Sequence, residues 1–369
     1  MALGNKLYLG DNLEILREKV DDETVDLIYL DPPFNSNRIY KMKTKSGPDS
    51  EEAFVDKWEW DDKSESQYQE LIVAQNKEVA NLMIGLRTIL GNGARLAYLT
   101  MMVARLVEMH RTLKPTGSLY LHCDPTESHY LKIALDVIFG KKNFRNEITW
   151  KRRIGTSGSI HRSKKFGSIT DTLLFFVKTN QARFTPQYNT NDPKHQKYVK
   201  EKFTRVDPGT GRLYQATSLA NPAYRPNLIY EYRGYLPPKN GWTISKQKME
   251  LWDSQGRIHF PKKTTGRLMR KSYADENKGM PVQNLWADIV MLTVGSSELT
   301  GYPTQKPLAL LERIISASSS EGDVVLDPFC GSGTTIEAAQ KLNRNWIGID
   351  MSPISIETTR QRLANLENS

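Results

Sequence analysis

The sequence predicts an α/β protein: an open, mostly parallel sheet with a ligand site at the carboxyl ends of its strands and a basic region inserted in the chain. Three observations lead there. Val25-Asp26-Leu27-Ile28-Tyr29-Leu30 is apolar at five of six positions and stops at Asp31-Pro32-Pro33-Phe34, the pattern of a strand buried on both faces. Near the other end, Val324-Val325-Leu326-Asp327 runs into Pro328-Phe329-Cys330-Gly331-Ser332-Gly333-Thr334, and a further strand ends in Asp350, 23 residues after Asp327. Between these ends, Lys151 to Val290 carries 26 Lys+Arg against 10 Asp+Glu, while the rest of the chain is net negative. That is the electrostatic footprint of a nucleic-acid-binding module, the alternative being a solvated basic surface with no partner.

Lys6–Leu9 reads as a short strand closed by Gly10-Asp11. Asp11, with Glu14 three residues on, fits the cap of a helix over Asn12–Lys19. After the Val25–Leu30 strand, the two prolines hold the backbone extended, because a residue before proline is disfavoured in helix. A carboxylate, rigid carbonyls and an aromatic face are thereby presented where open α/β sheets bind ligands. Asn35–Lys63 is polar and aperiodic and is expected to be an irregular loop containing Trp58 and Trp60. Loops of that length beside a strand-end site are functional or disordered.

Helical periodicity runs from Gln67 to Leu113, with a break at Gly91-Asn92-Gly93, and Met101 and Met102 are expected in the core. A turn at Lys114–Gly117, a strand at Ser118–His122 and a helix at Ser128–Phe139 follow. His122 and His129 fall on different elements with no third ligand in view, which argues against a metal site. Glu147–Lys151 and Asp171–Lys178 are strands flanking a basic, Gly- and Ser-rich loop at Arg152–Ser168. From Thr179 to Gly301 periodicity fades. The Lys151–Val290 stretch holds 9 of the 18 prolines and interleaves Lys and Arg with Tyr224, Tyr230, Tyr232, Tyr235 and Trp242. Such a segment suits phosphate contacts, with rings available to stack on bases.

Thr304-Gln305-Lys306-Pro307 introduces an amphipathic helix to Ser318, with Pro307 expected in its first turn. Ser352 and Pro353 read as the cap and first residue of a closing helix to about Leu366. The chain therefore divides into residues 1–150, a region at 151–301 that takes in the strand near 171–178, and residues 302–369.

Composition agrees. At 369 residues, 38% hydrophobic and 25% charged, the chain fits a soluble globular protein with a sizeable core. No apolar run approaches a membrane span, and Met1-Ala2-Leu3-Gly4-Asn5-Lys6 lacks the apolar core of a secretory signal. Two cysteines, Cys123 and Cys330, make neither a disulfide framework nor a four-cysteine zinc site. A reducing, cytosolic setting is expected.

Strand, glycine turn, helix, strand and acid form a nucleotide-cofactor pattern: the glycines admit the ligand to the backbone, and Asp350 can accept from ribose hydroxyls. Position 336 is Ile, so this is not G-x-G-x-x-G, and no Gly-Lys-Ser/Thr follows. Asp327 at the strand tip suits a ligand bearing an amine. S-adenosylmethionine, with its ammonium and sulfonium, fits better than a dinucleotide.

With these motifs the sequence resembles the amino-group DNA methyltransferases that form N6-methyladenine or N4-methylcytosine, over nearly its whole length. Asp31-Pro32-Pro33-Phe34 matches the catalytic motif, Asp327–Thr334 the cofactor loop and Asp350 the ribose acid. The catalytic motif comes first and the cofactor loop last, as in the family's β arrangement. Asn35-Ser36-Asn37-Arg38, Lys114–Pro125 and Thr304–Pro307 are similar to modification subunits of type III restriction systems and their shorter relatives. The resemblance implies a circularly permuted, Rossmann-like, SAM-dependent methyltransferase sheet with an inserted basic target-recognition region. It implies Asp31, Pro32, Pro33 and Phe34 as catalytic residues. The cofactor would be held by Thr304, Lys306, Asp327, Phe329, Cys330, Gly331, Ser332, Gly333, Thr334 and Asp350. Asp11 would contact the cofactor's adenine, serve as a plain helix cap, or both.

The implied partner is double-stranded DNA, with the target base flipped out. A homodimer and a cognate restriction endonuclease are left open, and no membrane is involved. Asp at the head of the catalytic motif favours adenine N6, with cytosine N4 as the alternative. Glutamine and RNA-base methyltransferases more often carry Asn there. A catalytically silent nucleic-acid-binding protein is the rival outside enzymes, disfavoured because every motif residue is intact. A dehydrogenase fails on the glycine spacing.

Overall fold

The protein is described here by a computed structural model covering residues 4–43, 50–73, 76–153, 164 and 166–367. It forms two compact units, residues 1–187 with 283–369, and residues 188–282. In chain order the first unit begins β1 (Lys6–Leu9), α1 (Asn12–Lys19), β2 (Val25–Leu30), β3 (Arg38–Lys43) and β4 (Ser50–Asp56). It continues with α2 (Asp62–Val73), α3 (Lys77–Leu90), α4 (Ala94–Thr112), β5 (Leu113–Cys123), α5 (Ser128–Leu135), β6 (Phe144–Lys151) and β7 (Thr170–Val177). The second unit holds β8 (Tyr188–Asn189), α6 (Pro193–Lys202), β9 (Arg205–Val206), β10 (Leu213–Ser218), α7 (Lys246–Ser254), β11 (Ile258–His259), β12 (Met269–Tyr273) and β13 (Met280–Pro281). The chain returns to the first with β14 (Leu285–Trp286), α8 (Leu308–Ser318), β15 (Val324–Asp327), α9 (Thr334–Lys341), β16 (Asn345–Asp350) and α10 (Pro353–Glu367).

The main sheet has eight strands in the order β1-β16-β15-β2-β5-β7-β6-β14. β1 through β5 in that order run parallel, and β7 is antiparallel to both β5 and β6. Every residue of β2 and β15 is buried, as the near-continuous apolar runs require of central parallel strands. From β15 the chain moves outward one way, to β16; from β2 it moves the other way, to β5. The boundary between β15 and β2 is therefore the topological switch point, where such sheets bind ligands. Ile28 pairs with Leu326, so Asp31 and Asp327 emerge at the same edge.

Helices α1–α5 pack over the Ile28/Leu30 side of β2 in one core that includes Leu16, Met83, Leu99, Met102 and Leu131. On the opposite side, Tyr120, paired in register with Tyr29, hydrogen-bonds Ser318 of α8 at 2.8 Å. No described helix is long and apolar enough to cross a membrane.

Several expectations need correction. Asn35–Lys63 is not one irregular loop: β3 and β4 form an antiparallel hairpin, and α2 starts at Asp62. Its alternation is masked by lysines and glutamates on a two-stranded ribbon with little core of its own. Helical structure from Asp62 to Thr112 breaks at residues 91–93 as expected, but also at Asn76, whose backbone is extended and whose side chain caps α3. Pro307 stands one place before the first turn of α8, as its N-cap. Most of the basic loop, residues 154–163 and 165, lies outside the described residues. The second unit, residues 188–282, lies within the 151–301 region, whose strands β7, near 171–178 as expected, and β14 belong to the main sheet. Within it Tyr232, Tyr235 and Trp242 are core, packed with Met249, Ile258 and Leu268. Tyr224 is exposed. A stretch short of aliphatic residues builds its core from the aromatics it has, so most of these rings are not free platforms.

Candidate active site

A cavity of about 470 Å³ opens at the switch point. It is lined by Tyr29 of β2 with Asp31 and Phe34 after it, by Asp327 at the end of β15 with Phe329 and Gly331 after it, and by Phe54 of β4 and Lys306. All four catalytic candidates line it, as do Thr304, Lys306, Asp327, Phe329, Cys330, Gly331, Ser332, Thr334 and Asp350. Asp11 and Gly333 are the two expected residues outside the lining.

Asp31 Oδ2 accepts from Lys306 Nζ, and that ammonium also stands 5.7 Å from the centroid of the Phe34 ring. The other carboxylate oxygen, Oδ1, is buried and has no hydrogen-bond partner among the described residues. A buried acceptor left unpaired is costly and marks a place where a donor belongs.

The loop after Phe34 is pinned by a residue that the sequence reading passed over. Asp56, at the end of β4, accepts from the backbone N–H of Phe34 (3.2 Å), Asn35 (2.9 Å) and Ser36 (2.8 Å) and from Trp58 Nε1 (3.0 Å). Asn35 and Asn37 take left-handed backbone, φ 58° and 57°, a conformation asparagine tolerates better than most residues. Asn35 Nδ2 donates to buried Glu127 at 3.1 Å. The signal for Asp56 was an acid in a stretch read as aperiodic, with no sequence proximity to the strand it serves.

On the β15 side, Asp327 Oδ1 accepts from Phe329 N at 3.0 Å. Burial, with the nearby charges of Asp31 and Asp350, pushes its carboxyl up to about 7. Asp350 accepts from Gly331 N (2.9 Å) and Ser352 N (2.8 Å), and burial raises its carboxyl too. Gly331 and Gly333 have φ 48° and 76°, and a Cβ on Gly333 would lie 2.5 Å from Thr359 Oγ1. Only glycine lets this turn close between α9 and α10. Buried Cys330 has its thiol pushed up by burial, which leaves it without a nucleophile's chemistry.

Asp11 caps α1 through Leu13 N (2.8 Å) and pairs with Arg105 Nη2 at 2.7 Å. Its neighbour Asn12 and Arg105 itself reach the cavity instead.

The residues fit the expected cofactor. Carboxylates outnumber cations around the cavity, which matches a ligand of net positive charge, and the glycine turn leaves backbone open to a nucleoside. The first turn of α9 has no side-chain cap.

The comparisons with known proteins agree. Residues 25–361 match the N6/N4 methyltransferase family model, described as DNA methylase. The chain belongs to this family of DNA methyltransferases, which use S-adenosylmethionine as methyl donor. The type II methyltransferase M.EcaI of Enterobacter cloacae is 28% identical over 99% of this chain and 70% of its own length. The StyLTI Mod subunit, a type III restriction-modification enzyme of Salmonella typhimurium, is 29% identical over 92% of this chain. The chain spans only 50% of that relative. Among solved structures, the M1.HpyAVI–SAM complex aligns over 97% of this chain and 98% of its own, at 18% identity and TM-score 0.44.

Proposed function

We propose that this chain transfers a methyl group from S-adenosylmethionine to the N6 amino group of adenine in duplex DNA, with the base flipped into the cavity. The observation that carries it is Asp31: one oxygen held by Lys306, the other buried and unpaired beside Pro32 and Phe34. An exocyclic amine is a poor nucleophile because its lone pair is delocalised into the ring. Asp31 Oδ1 and the Pro32 carbonyl accept its two N–H bonds, drawing the nitrogen toward tetrahedral geometry and localising the lone pair. Phe34 stacks on the extruded base and holds it in line, and positioning supplies much of the acceleration.

Asp327, Asp350 and the Gly331–Gly333 turn hold the cofactor. When bound, it supplies an electrophilic methyl on a sulfonium. Asp327 pairs with the ligand's ammonium, and Asp350 accepts from its ribose. The preference for adenine over cytosine N4 rests on aspartate at the head of the motif. The second unit supplies target recognition on DNA, on the strength of its charge.

Single-turnover methylation of plasmid DNA with methyl-tritiated cofactor tests the reading. Asp31→Asn keeps the shape but presents a neutral amide, so transfer falls by about 10³-fold or more, in the range of a group acting on the transition state alone. Cofactor affinity stays within about threefold, since the carboxylate acts on the base. A variant with wild-type transfer rate contradicts the assignment.

A further inference from the structure

Behind Phe34 lies a row of polar side chains that the reaction above does not use. Tyr29 of β2 has its hydroxyl 2.9 Å from His122 Nδ1 on β5, and His122 Nε2 lies 3.3 Å from Asp171 Oδ2 on β7. Asp171 Oδ1 is in turn 3.2 Å from Arg152 Nε. His122 has 0% of its surface exposed, Tyr29 1% and Asp171 3%. Three polar groups are thus buried in series across three adjacent strands. Burial alone would raise the Asp171 carboxyl; its hydrogen bond to His122, with the charges of Arg152 and Lys306, holds it below its ordinary value. As an ionised acceptor, Asp171 takes the Nε2–H, so Nδ1 accepts from the Tyr29 hydroxyl, and the imidazole has one orientation.

That orientation has a consequence at the cavity. The Phe34 ring stacks on the His122 ring, centroids 6.0 Å apart at 29°, and Trp150 meets the same imidazole edge-on at 5.6 Å. Phe34 itself lies outside any strand or helix, on a short segment between two prolines and a left-handed asparagine. A ring in that position needs a backing surface if it is to hold a base in line.

We propose that His122, locked by Tyr29 and Asp171, is a positioning residue for methyl transfer: it backs Phe34, so that base, Phe34 and imidazole form one continuous stack. This rests on the reading of Phe34 as the base-stacking ring. The two hydrogen bonds through the imidazole fix one orientation of its ring, which an apolar side chain of the same volume would not. His122 touches neither base nor cofactor and acts only through Phe34.

A double-mutant cycle on single-turnover methylation of plasmid DNA separates this role from a merely structural one. His122→Ala slows transfer by at least about tenfold when Phe34 is present and by less than about twofold further in the Phe34→Ala background, the non-additivity of residues acting as one unit. Affinity for S-adenosylmethionine, read by calorimetry, stays within about twofold in both. Tyr29→Phe removes one hydroxyl and no ring, and carries the same test if His122→Ala does not fold. Its effect, about threefold or more, likewise vanishes in the Phe34→Ala background. Losses that multiply independently in the two backgrounds overturn the proposal, as does a loss of cofactor affinity that tracks the loss of rate. A wild-type protein that binds the cofactor yet methylates no DNA overturns the functional reading and this inference together; independent losses in an active enzyme overturn this inference alone.

Discussion

Asp327 is the residue whose protonation the structure perturbs most usefully. Its carboxyl titrates at about 7 in the folded protein because it is buried near Asp31 and Asp350, against roughly 4 in an unfolded chain. Between those values the folded state binds a proton that the unfolded state has released, so this group's contribution to stability falls as pH rises from about 4 to about 7 and is flat above. Melting temperatures from pH 5 to 8 therefore decline less steeply in Asp327→Asn than in the wild type. A bound ammonium favours the ionised form, so cofactor affinity strengthens as pH rises through about 7. Calorimetry in two buffers of different ionisation enthalpy reads the accompanying proton release. A pH-independent affinity would place the ligand's amine elsewhere.

At the scale of elements, the loop after β2 depends on a strand that is remote in sequence. Asp56 satisfies three consecutive N–H groups after Pro33 and closes the β3–β4 hairpin against them. Asp56→Ala leaves those donors without their carboxylate and costs about 2–3 kcal/mol, the range for hydrogen bonds to a charged group. Transfer rate is expected to fall more than cofactor affinity, and denaturant unfolding with filter-binding kinetics measures both. This hairpin was concealed in the sequence, as were the short elements between residues 188 and 282. β1, α1 and β2 were legible to the residue because apolar runs and a capping aspartate mark them, and β15, β16 and α10 were legible to within a residue or so because glycine, proline and acid punctuate them. β3 and β4 lack such marks, and residues there alternate only against each other. The site followed the same division. Asp31, Asp327 and Asp350 stand at strand ends and were found from pattern. Asp56, Glu127 and the Tyr29–His122–Asp171 row are brought together by sheet order alone.

For the molecule as a whole, charge is distributed between the two units. Residues 188–282 carry 18 Lys+Arg against 8 Asp+Glu, a net of +10, which leaves the rest of the chain at −1. Binding to duplex DNA by a surface of this kind weakens steeply with salt through counterion release. Lys262 and Lys263 are exposed, and reversing both to glutamate weakens DNA binding by about tenfold or more at low salt, with a shallower salt slope. Fluorescence anisotropy of labelled duplex measures it, and an unchanged slope would move the DNA contact off this face. Sheet topology supports the same division of labour. Asp31–Phe34 and Asp327–Thr334, at opposite ends of the sequence, meet at the β15–β2 switch point of the permuted sheet, while residues 188–282 are an excursion between β7 and β14.

The most direct measurement is mass spectrometry of nucleosides from plasmid DNA incubated with the protein and methyl-labelled S-adenosylmethionine. The predicted result is label in N6-methyladenine, abolished in Asp31→Asn. Label in N4-methylcytosine would contradict the choice of base while keeping the amine chemistry at Asp31. No label in any base, despite cofactor binding, would contradict the proposed reaction itself.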